Sequence, residues 1–395
     1  MRKTISIIGG GPSSLLLAAF LNTEKFDITI YEKNKTVGRK FLVAGKGGFN
    51  LTHSEPISNF IEKYTPNSFL ENSLLSFTND NFREWLNSIG IPTYVGSSKR
   101  IYPEEGIKPI TVLNTIIKHL KTKGVHFKYE HIFSGWNLEN NILINNKIIT
   151  SDYTVFSLGG GSWKITGSDG NWLNTFKEKG IKTIPFEASN CAFKINWNSK
   201  FIKENEGIPL KNIAISCLEK TQKGEAVITN FGLEGNAIYA LSPQIRHQLK
   251  SKGKAIIYID FKPTLNLEKI ITKIKKSGFK NTTQILKKEL KLSNSQIDLL
   301  KNNLSKDAYL NSEIISKNIK KFPLEITGLG TLDEAISTVG GIDLEAIDGN
   351  FQLEKIKNQY CIGEMLNWDA PTGGYLLQAC ASTGVYLAKH MNKTE

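Results

Sequence analysis

The sequence is poor in cysteine: four in 395 residues. Cys191, Cys217, Cys361 and Cys380 form no CxxC pair and show no metal-ligand spacing. That argues against zinc and against disulfides, and for reduced core thiols in a cytoplasmic protein. Long apolar runs are also lacking, so no segment is expected to span a membrane. The N-terminus enters a strand directly instead of a charged region followed by a cleavable apolar stretch, so export is not expected. Arginine is missing from Lys250 to Lys321, where 17 lysines face six acidic residues and leave +11 of the chain's net +13. Such a lysine-rich segment on a nearly neutral body fits a polyanionic partner, with nucleic acid the first candidate. The alternative is that it reflects the Lys-, Asn- and Ile-rich style of the whole chain. At this length two or three domains are expected, each with ample core.

What is present is concentrated at the two ends. Ile5-Ser6-Ile7-Ile8 runs into Gly9-Gly10-Gly11-Pro12-Ser13-Ser14 and then the apolar run Leu15 to Leu21, reading as strand, tight glycine turn and helix. Gly9 allows the turn, Gly11 lets the backbone approach a pyrophosphate, and Ser14 takes the small position in place of the third glycine. The helix offers its free N–H groups and positive dipole end to an anion. A second strand, Asp27 to Tyr31, ends at Glu32, where a carboxylate can accept from ribose hydroxyls, with Lys33 beside it. Together these form a dinucleotide fingerprint in its expected context.

A second unusual segment runs from Val37 to His53. Gly45, Gly47 and Gly48 let main-chain amides face a ligand, while Arg39, Lys40 and Lys46 supply cations for a pyrophosphate. Asn50, Thr52 and His53 follow, towards the reacting end. Taken alone, the segment also reads as a basic surface loop. Phe60 to Leu120 reads as helices around a turn at Lys99–Pro103. Val125 to Tyr129 is a further parallel strand, with the backbone near Ile132 placed to meet an adenine. A hairpin from Trp136 to Ile149 precedes the strand Tyr153 to Leu158, which ends in Gly159-Gly160-Gly161-Ser162 at the edge where doubly wound sheets keep ligands.

From Ala188 the texture turns to β alternation: Cys191–Ile195, Ile213–Leu218, Glu225–Ile228 and Ala255–Ile259, an inserted sheet or small barrel. A glycine-punctuated loop, Asn230 to Asn236, opens a helical segment carrying Arg246, which could meet an anionic substrate or stand as a plain surface arginine. Helices near Leu267–Lys276, Thr282–Lys291, Ser295–Asn303 and Glu313–Lys320 follow as a small bundle with a solvated lysine face. The last 60 residues return to the first domain. A strand at Tyr360-Cys361-Ile362 ends in Gly363-Glu364, where Glu364 can accept from a polyol chain. Thr372-Gly373-Gly374-Tyr375-Leu376 then opens the C-terminal helix, with amides aimed at a ring carbonyl. Both ends of a flavin dinucleotide are thereby accounted for.

Taken together, GGGPSS, GRKFLVAGKGGFNLTHSE, SLGGGSW, FGLEGNAIYALS, TVGGI and GEMLNWDAPTGGYLLQACASTG resemble the three-domain bacterial flavoproteins of the aminoacetone-oxidase-like (YhiN/BaiN) family over nearly the whole chain. Many members carry GGGRCNxTN in the loop, whereas this chain reads Gly45-Lys46-Gly47-Gly48-Phe49-Asn50-Leu51-Thr52-His53 and lacks the Arg-Cys pair, which marks a distinct branch. The resemblance implies an α/β fold: a Rossmann-like FAD-binding domain (1–188, 338–395), an inserted β-rich domain (189–262, 322–337) and a helical insert (263–321). It implies FAD as cofactor and NAD(P)H as soluble reductant, without a separate nicotinamide-binding fold. Gly9, Gly10, Gly11, Pro12 and Ser13 would hold the pyrophosphate and Glu32 the ribose. Arg39, Lys40, Gly45, Gly47, Gly48 and Asn50 would cover the cofactor, with Gly159 and Gly160 at the sheet edge. Glu364 would meet the ribityl chain beside Gly363, and Gly373, Gly374, Tyr375 and Leu376 the flavin ring. His53 is a candidate proton donor, or a structural histidine. Family members reduce a uridine in ribosomal RNA, reduce conjugated double bonds in oxo-steroids, or oxidise aminoacetone. Reduction of an electron-poor C=C bond is therefore expected, with ribosomal RNA the preferred acceptor through residues 250–321. The alternatives are a small-molecule oxidase or ene-reductase, and a nucleic-acid-binding protein with structural FAD.

Overall fold

The strand Lys3–Ile8 is flanked on both sides by parallel neighbours, and its alternate side chains Ile5 and Ile7 are buried. A strand covered on both faces reads as a continuous apolar run, which explains the near absence of polar alternation in ISII. In the computed structural model, which describes residues 1–43 and 49–394, it is the centre of a five-stranded sheet. Across the sheet the order is Gln359–Cys361, Tyr153–Phe156, Lys3–Ile8, Phe26–Glu32, His126–Tyr129. Every pairing is parallel, with Ile5 opposite both Ile28 and Tyr153. The chain builds outward in one direction through its third strand, then returns to add the last two on the other side. The point of reversal lies between Lys3–Ile8 and Tyr153–Phe156, where such sheets open a crevice beyond their carboxyl ends.

Two compact units make up the chain: residues 1–188 with 332–395, and residues 189–331. In the first, the helices Pro12–Phe20 and Tyr375–Thr394 pack together, close enough that a Cβ on Gly384 would stand 2.3 Å from the Ser13 carbonyl oxygen. The hairpin expected at Trp136–Ile149 is a three-stranded meander starting at Phe133. It packs Phe133 and Trp136 edge-to-face against Phe156, and Trp136 likewise against Phe176. One local expectation is corrected. Arg100–Pro103 is a strand instead of a turn, pairing with Thr52–His53 on one side and Thr93–Val95 on the other. The turn itself falls at Gly96–Lys99, with Lys99 at φ 60°. Arg-Ile-Tyr-Pro has strand-forming residues at its centre, and the neighbouring lysine and proline obscured them.

The second unit is a seven-stranded antiparallel sheet whose edge strands, Phe322–Ile326 and Gly328–Leu329, are consecutive in the chain. With Thr327 alone between them, one short segment pairs with Ala255–Asp260 at one edge and with Phe193–Lys194 at the other. The sheet therefore curls until its edges are bridged, a barrel-like closure that leaves little open edge. Gly232–Glu234, within the stretch expected as a loop, is one of its strands. The helices Leu267–Lys275, Thr282–Lys288, Asn294–Asn303 and Ser312–Lys320 bury Ile270, Leu286, Leu300 and Ile315 in the same apolar cluster as Ile215 and Ile257 of the sheet. A further short helix, Lys306–Leu310, links the last two.

Candidate functional site

A cleft of about 380 Å³ opens in the first unit at the carboxyl ends of the parallel strands. Its base is the turn after the first strand. The Gly9 amide donates to Tyr31 O at 2.8 Å, and the Ser157 amide to Ile8 O at 2.8 Å, so three strand ends are knotted together here. Gly9 has φ +101°, and a Cβ there would stand 2.3 Å from Ser157 O, so glycine is required on both counts. Gly11 is different. It lines the cleft, and no protein atom lies within 4 Å of where its Cβ would be. Glycine at Gly11 keeps the backbone open to a ligand from the cleft side. No side chain caps the helix Pro12–Phe20 that starts there, and Pro12 occupies its first turn without an N–H to satisfy. Uncapped amide donors at a helix N-terminus facing a cleft suit a pyrophosphate.

Glu32 is buried and held from three sides. One carboxylate oxygen accepts from the Gly10 amide at 2.8 Å; the other accepts from the Asn34 amide at 2.8 Å and the Asn34 side chain at 2.7 Å. A carboxylate has about four lone-pair positions, so acceptor capacity is left for hydroxyls in the cleft. Around it the cations divide into two kinds. Lys33 is 2.9 Å from Asp169, and Lys40 is 3.0 Å from both Glu364 oxygens and 2.9 Å from Ser162 Oγ. Arg39 instead donates to Asn34 Oδ1 at 3.0 Å and Ile165 O at 2.9 Å, both uncharged, so its positive charge is not neutralised by these contacts. It lies with the uncapped helix N-terminus on the same cleft. Cys380 also lines the cleft, its thiol pushed up to about 12 by burial and the nearby Glu364 carboxylate, so it is a thiol and not a thiolate nucleophile near neutral pH.

Of the residues singled out by sequence, the cleft brings together Gly9, Gly10, Gly11, Pro12, Ser13, Glu32, Lys33, Arg39, Lys40, Ile132, Gly159 and Glu364. Gly160 and Gly363 stand one layer behind. A Cβ on Gly160 would reach 3.1 Å from the Glu364 carboxylate, and one on Gly363 would be 2.2 Å from Ser13 Oγ. Gly45, Gly47 and Gly48 lie outside the described residues, and Asn50 is part-buried at the end of that segment.

His53, Gly373, Gly374 and Tyr375 form a separate cluster. A Cβ on Gly374 would sit 2.5 Å from the Thr52 backbone, and one on Gly373 would be 3.4 Å from Arg100 Nε. The Tyr375 ring stacks on His53 at 5.4 Å and its hydroxyl donates to Glu55, while Leu376 packs into the main core. Burial, then the Glu55 hydrogen bond and charge, raise the Tyr375 phenol. His53 is lowered, chiefly by burial, against an opposing pull from Glu55. Its Nδ1 accepts from the Glu55 amide at 3.2 Å, which leaves the neutral ring's proton on Nε2. Arg246 is buried in the helix Ser242–Lys252 of the second unit. Sequence reasoning missed Asn34 and Asp169, and it placed Ser162 at the ligand edge without its bond to Lys40; all three orient the charged residues of the cleft. A signal for Asp169 was present in the glycine-bounded Gly167-Ser168-Asp169-Gly170 run. Among the described residues no cluster of His, Cys, Asp and Glu could hold a metal, and no helix is long and apolar enough to cross a membrane.

A doubly wound parallel sheet, a glycine turn at the crevice and a buried carboxylate on the second strand define a Rossmann-like FAD-binding oxidoreductase. The chain belongs to the family described as HI0933-like protein Rossmann domain, which it matches over residues 3–390. It is 24% identical over 385 residues to a ribosomal RNA dihydrouridine synthase of Haemophilus influenzae, covering 94% of each chain. It is 24% identical over 412 residues to a 3-dehydro-bile acid delta(4,6)-reductase of Clostridium scindens, covering 97% of each. Among solved structures it is similar to an open flavocytochrome c3 fumarate reductase, with TM-score 0.50 and 12% identity over 99% of this chain and 78% of that one. A 3-ketosteroid-delta4-(5alpha)-dehydrogenase from Rhodococcus jostii RHA1 also has TM-score 0.50, at 12% identity over 100% of this chain and 97% of that one. At these identities the structural likeness is one of fold.

Proposed function

We propose that this FAD-dependent oxidoreductase reduces a carbon–carbon double bond conjugated to a carbonyl, with NAD(P)H as electron source and a uridine of ribosomal RNA as acceptor. Dihydrouridine is uridine saturated at one ring C=C, and a delta(4,6)-reductase acts on unsaturation, so the two relatives share a reaction type. Bound FAD supplies a two-electron carrier between donor and acceptor. The residues of the cleft supply its grip: the helix N-terminus and Arg39 for the pyrophosphate, Glu32 for a ribose, and Glu364, braced by Lys40, for the ribityl chain. Reduction of a C=C bond also consumes a proton. We place its source at His53, against the Gly373–Gly374 turn. In its protonated form, which burial makes the more acidic, it gives up a proton and returns to the neutral ring, while the Tyr375 ring stacked on it, with its hydroxyl committed to Glu55, holds it in place.

The observation favouring RNA over a small ketone is the surface of the second unit. Of the 17 lysines from Lys250 to Lys321, all but Lys262 and Lys320 are exposed. A steroid-sized acceptor gives no use for such a field, whereas a phosphate backbone does. The test is anaerobic reduction of the purified yellow protein by NADH or NADPH, followed by addition of unmodified ribosomal RNA. Reoxidation driven by RNA, with dihydrouridine appearing in the RNA, supports the reading. Reoxidation by an oxo-steroid and not by RNA would move it to the second relative's chemistry, and rapid reoxidation by air with peroxide release would make it an oxidase.

A further inference from the structure

The second unit contains a cleft of its own, also about 380 Å³. Ile256, Pro323 and Leu324 line it from the sheet, Trp197 from the chain leading into the helix Ser199–Asn205, and Phe201 from that helix. The Trp197 ring is fixed by its Nε1 donating to Thr229 O at 3.0 Å and by packing on Phe201 at 5.1 Å. The remaining wall is rich in carboxamides. Asn302 and Asn303 each spend one N–H on their own helix, to Asp298 O at 2.8 Å and Leu299 O at 2.9 Å. Asn198 spends its oxygen capping the next helix, on the amides of Lys200 at 2.9 Å and Phe201 at 3.4 Å. By valence the wall therefore keeps acceptors at Asn302 and Asn303 and donors at Asn198.

At this cleft Thr327, the bend that joins the two edge strands, has a buried hydroxyl oxygen with no hydrogen-bond partner. Its amide is satisfied by Lys194 O at 2.9 Å, so the backbone is in place and the hydroxyl alone is orphaned. Buried hydroxyls are nearly always paired, and one left unpaired beside a cleft has a partner to gain there. Glu325 lines the same cleft and is held at 2.8 Å by Lys254, one of the exposed lysines.

The geometry points to a subsite for an unpaired RNA base: a planar ring against Trp197, its edge read by the asparagine carboxamides and the Thr327 hydroxyl, its backbone on the lysines. An aromatic wall and mixed donors and acceptors suit a nucleobase, since proteins read single-stranded RNA by stacking and by edge hydrogen bonds. This rests on the RNA reading above but assigns a place distinct from the flavin cleft.

The test uses the flavin-loaded full-length protein and a single-stranded oligonucleotide of about eight residues, a length within the usual site size, carrying one 5-bromouridine. Ultraviolet cross-links mapped by mass spectrometry are expected on the peptide containing Trp197. Thr327→Val replaces the orphan hydroxyl by a methyl of the same shape. It is expected to leave the unfolding midpoint unchanged or raise it while weakening the oligonucleotide roughly three- to tenfold, a range typical of one lost hydrogen bond. Asn303→Ala provides a second variant at the exposed end of a helix and is expected to weaken binding by a similar factor. If the oligonucleotide binds both variants as tightly as wild type and cross-links only elsewhere, the cleft is no base site, although RNA binding stands. If no oligonucleotide binds even at low salt, the RNA reading and this subsite fail together.

Discussion

A Cβ on Gly363 would stand 2.2 Å from the Ser13 Oγ, so the chain's penultimate turn is pressed against the first turn of its first helix. Gly363 has φ +79°, a region that other residues enter at a cost. Gly363→Ala should therefore destabilise the protein by about 1–3 kcal/mol from strain, with the clash against Ser13 in addition. It should also displace Glu364, the next residue, from the cleft. Urea unfolding and the flavin-to-protein ratio of the purified variant check both effects; a stable variant with full flavin would mean that this contact does not shape the site.

Glu32 accepts three hydrogen bonds, from the Gly10 amide and from both nitrogens of Asn34, and so holds the glycine turn against the end of the second strand. Glu32→Gln keeps size and loses one acceptor oxygen to an amide facing N–H donors. The expected loss is about 1.5–3 kcal/mol, the range for hydrogen bonds to a charged group, read as at least tenfold weaker FAD binding by fluorescence of the released flavin.

Lys40 and Glu364 join residues 324 positions apart at 3.0 Å, with side chains 28% and 15% exposed. Partial burial makes this pair more than a screened surface contact, and Ser162 Oγ at 2.9 Å fixes the ammonium further. Lys40→Met, Glu364→Gln and the double variant form a cycle in FAD affinity. Coupling of about 1–2 kcal/mol is expected, within the range for residues in direct contact. Additive losses would show that Lys40 acts on the cofactor independently of Glu364.

Burial holds His53 below the usual histidine value, and Arg100 and Lys63 add to the lowering while Glu55 opposes it. His119 is lowered in the same way, by burial and then Lys123. A histidine lowered in the folded state takes up its proton more readily in the unfolded chain. Stability from these residues is therefore full above about pH 6.5, the ordinary value, and declines as pH falls from there towards the folded values. Asp152 and Asp343 are lowered too, but their stabilisation is lost only in the more acid range below the ordinary carboxylate value. Urea midpoints at pH 7.5 and 5.5 should differ less in His53→Gln than in wild type. An equal difference would place the titration elsewhere.

The sheet and the cofactor turn were legible because they rest on local rules. Gly9-Gly10-Gly11 between an apolar strand and an apolar helix has few other structural meanings, and Glu32 falls at the end of the next strand. The partners of those residues were less legible. Nothing local in Lys40 points to Glu364, nor in Lys33 to Asp169, because long side chains choose partners that only the fold brings near. The same holds for Tyr375. Its place after a double glycine suggested the flavin ring, but nothing local pointed to its side-chain partners His53, Phe60 and Glu55, which tertiary packing of the strand Thr52–His53 brings near. The closure of the second unit through Thr327 was equally hidden, since strands of two residues carry almost no periodicity.

Two of the exposed lysines of the second unit are tied to acids, Lys254 to Glu325 at 2.8 Å and Lys275 to Glu313 at 3.2 Å. Lys287 and Lys288 end the helix Thr282–Lys288 and are exposed. If this surface tracks a phosphate backbone, affinity for RNA falls as a power of salt, and each contact removed lowers the slope of log affinity against log salt by about 1. Lys287→Glu with Lys288→Glu should then weaken RNA binding independently of its sequence and flatten the slope by about 2. FAD content should stay unchanged, because neither residue belongs to the cofactor cleft. Filter binding across a salt series measures all three quantities. An unchanged slope would remove this helix end from the RNA path and shift the search to the other exposed lysines of the unit.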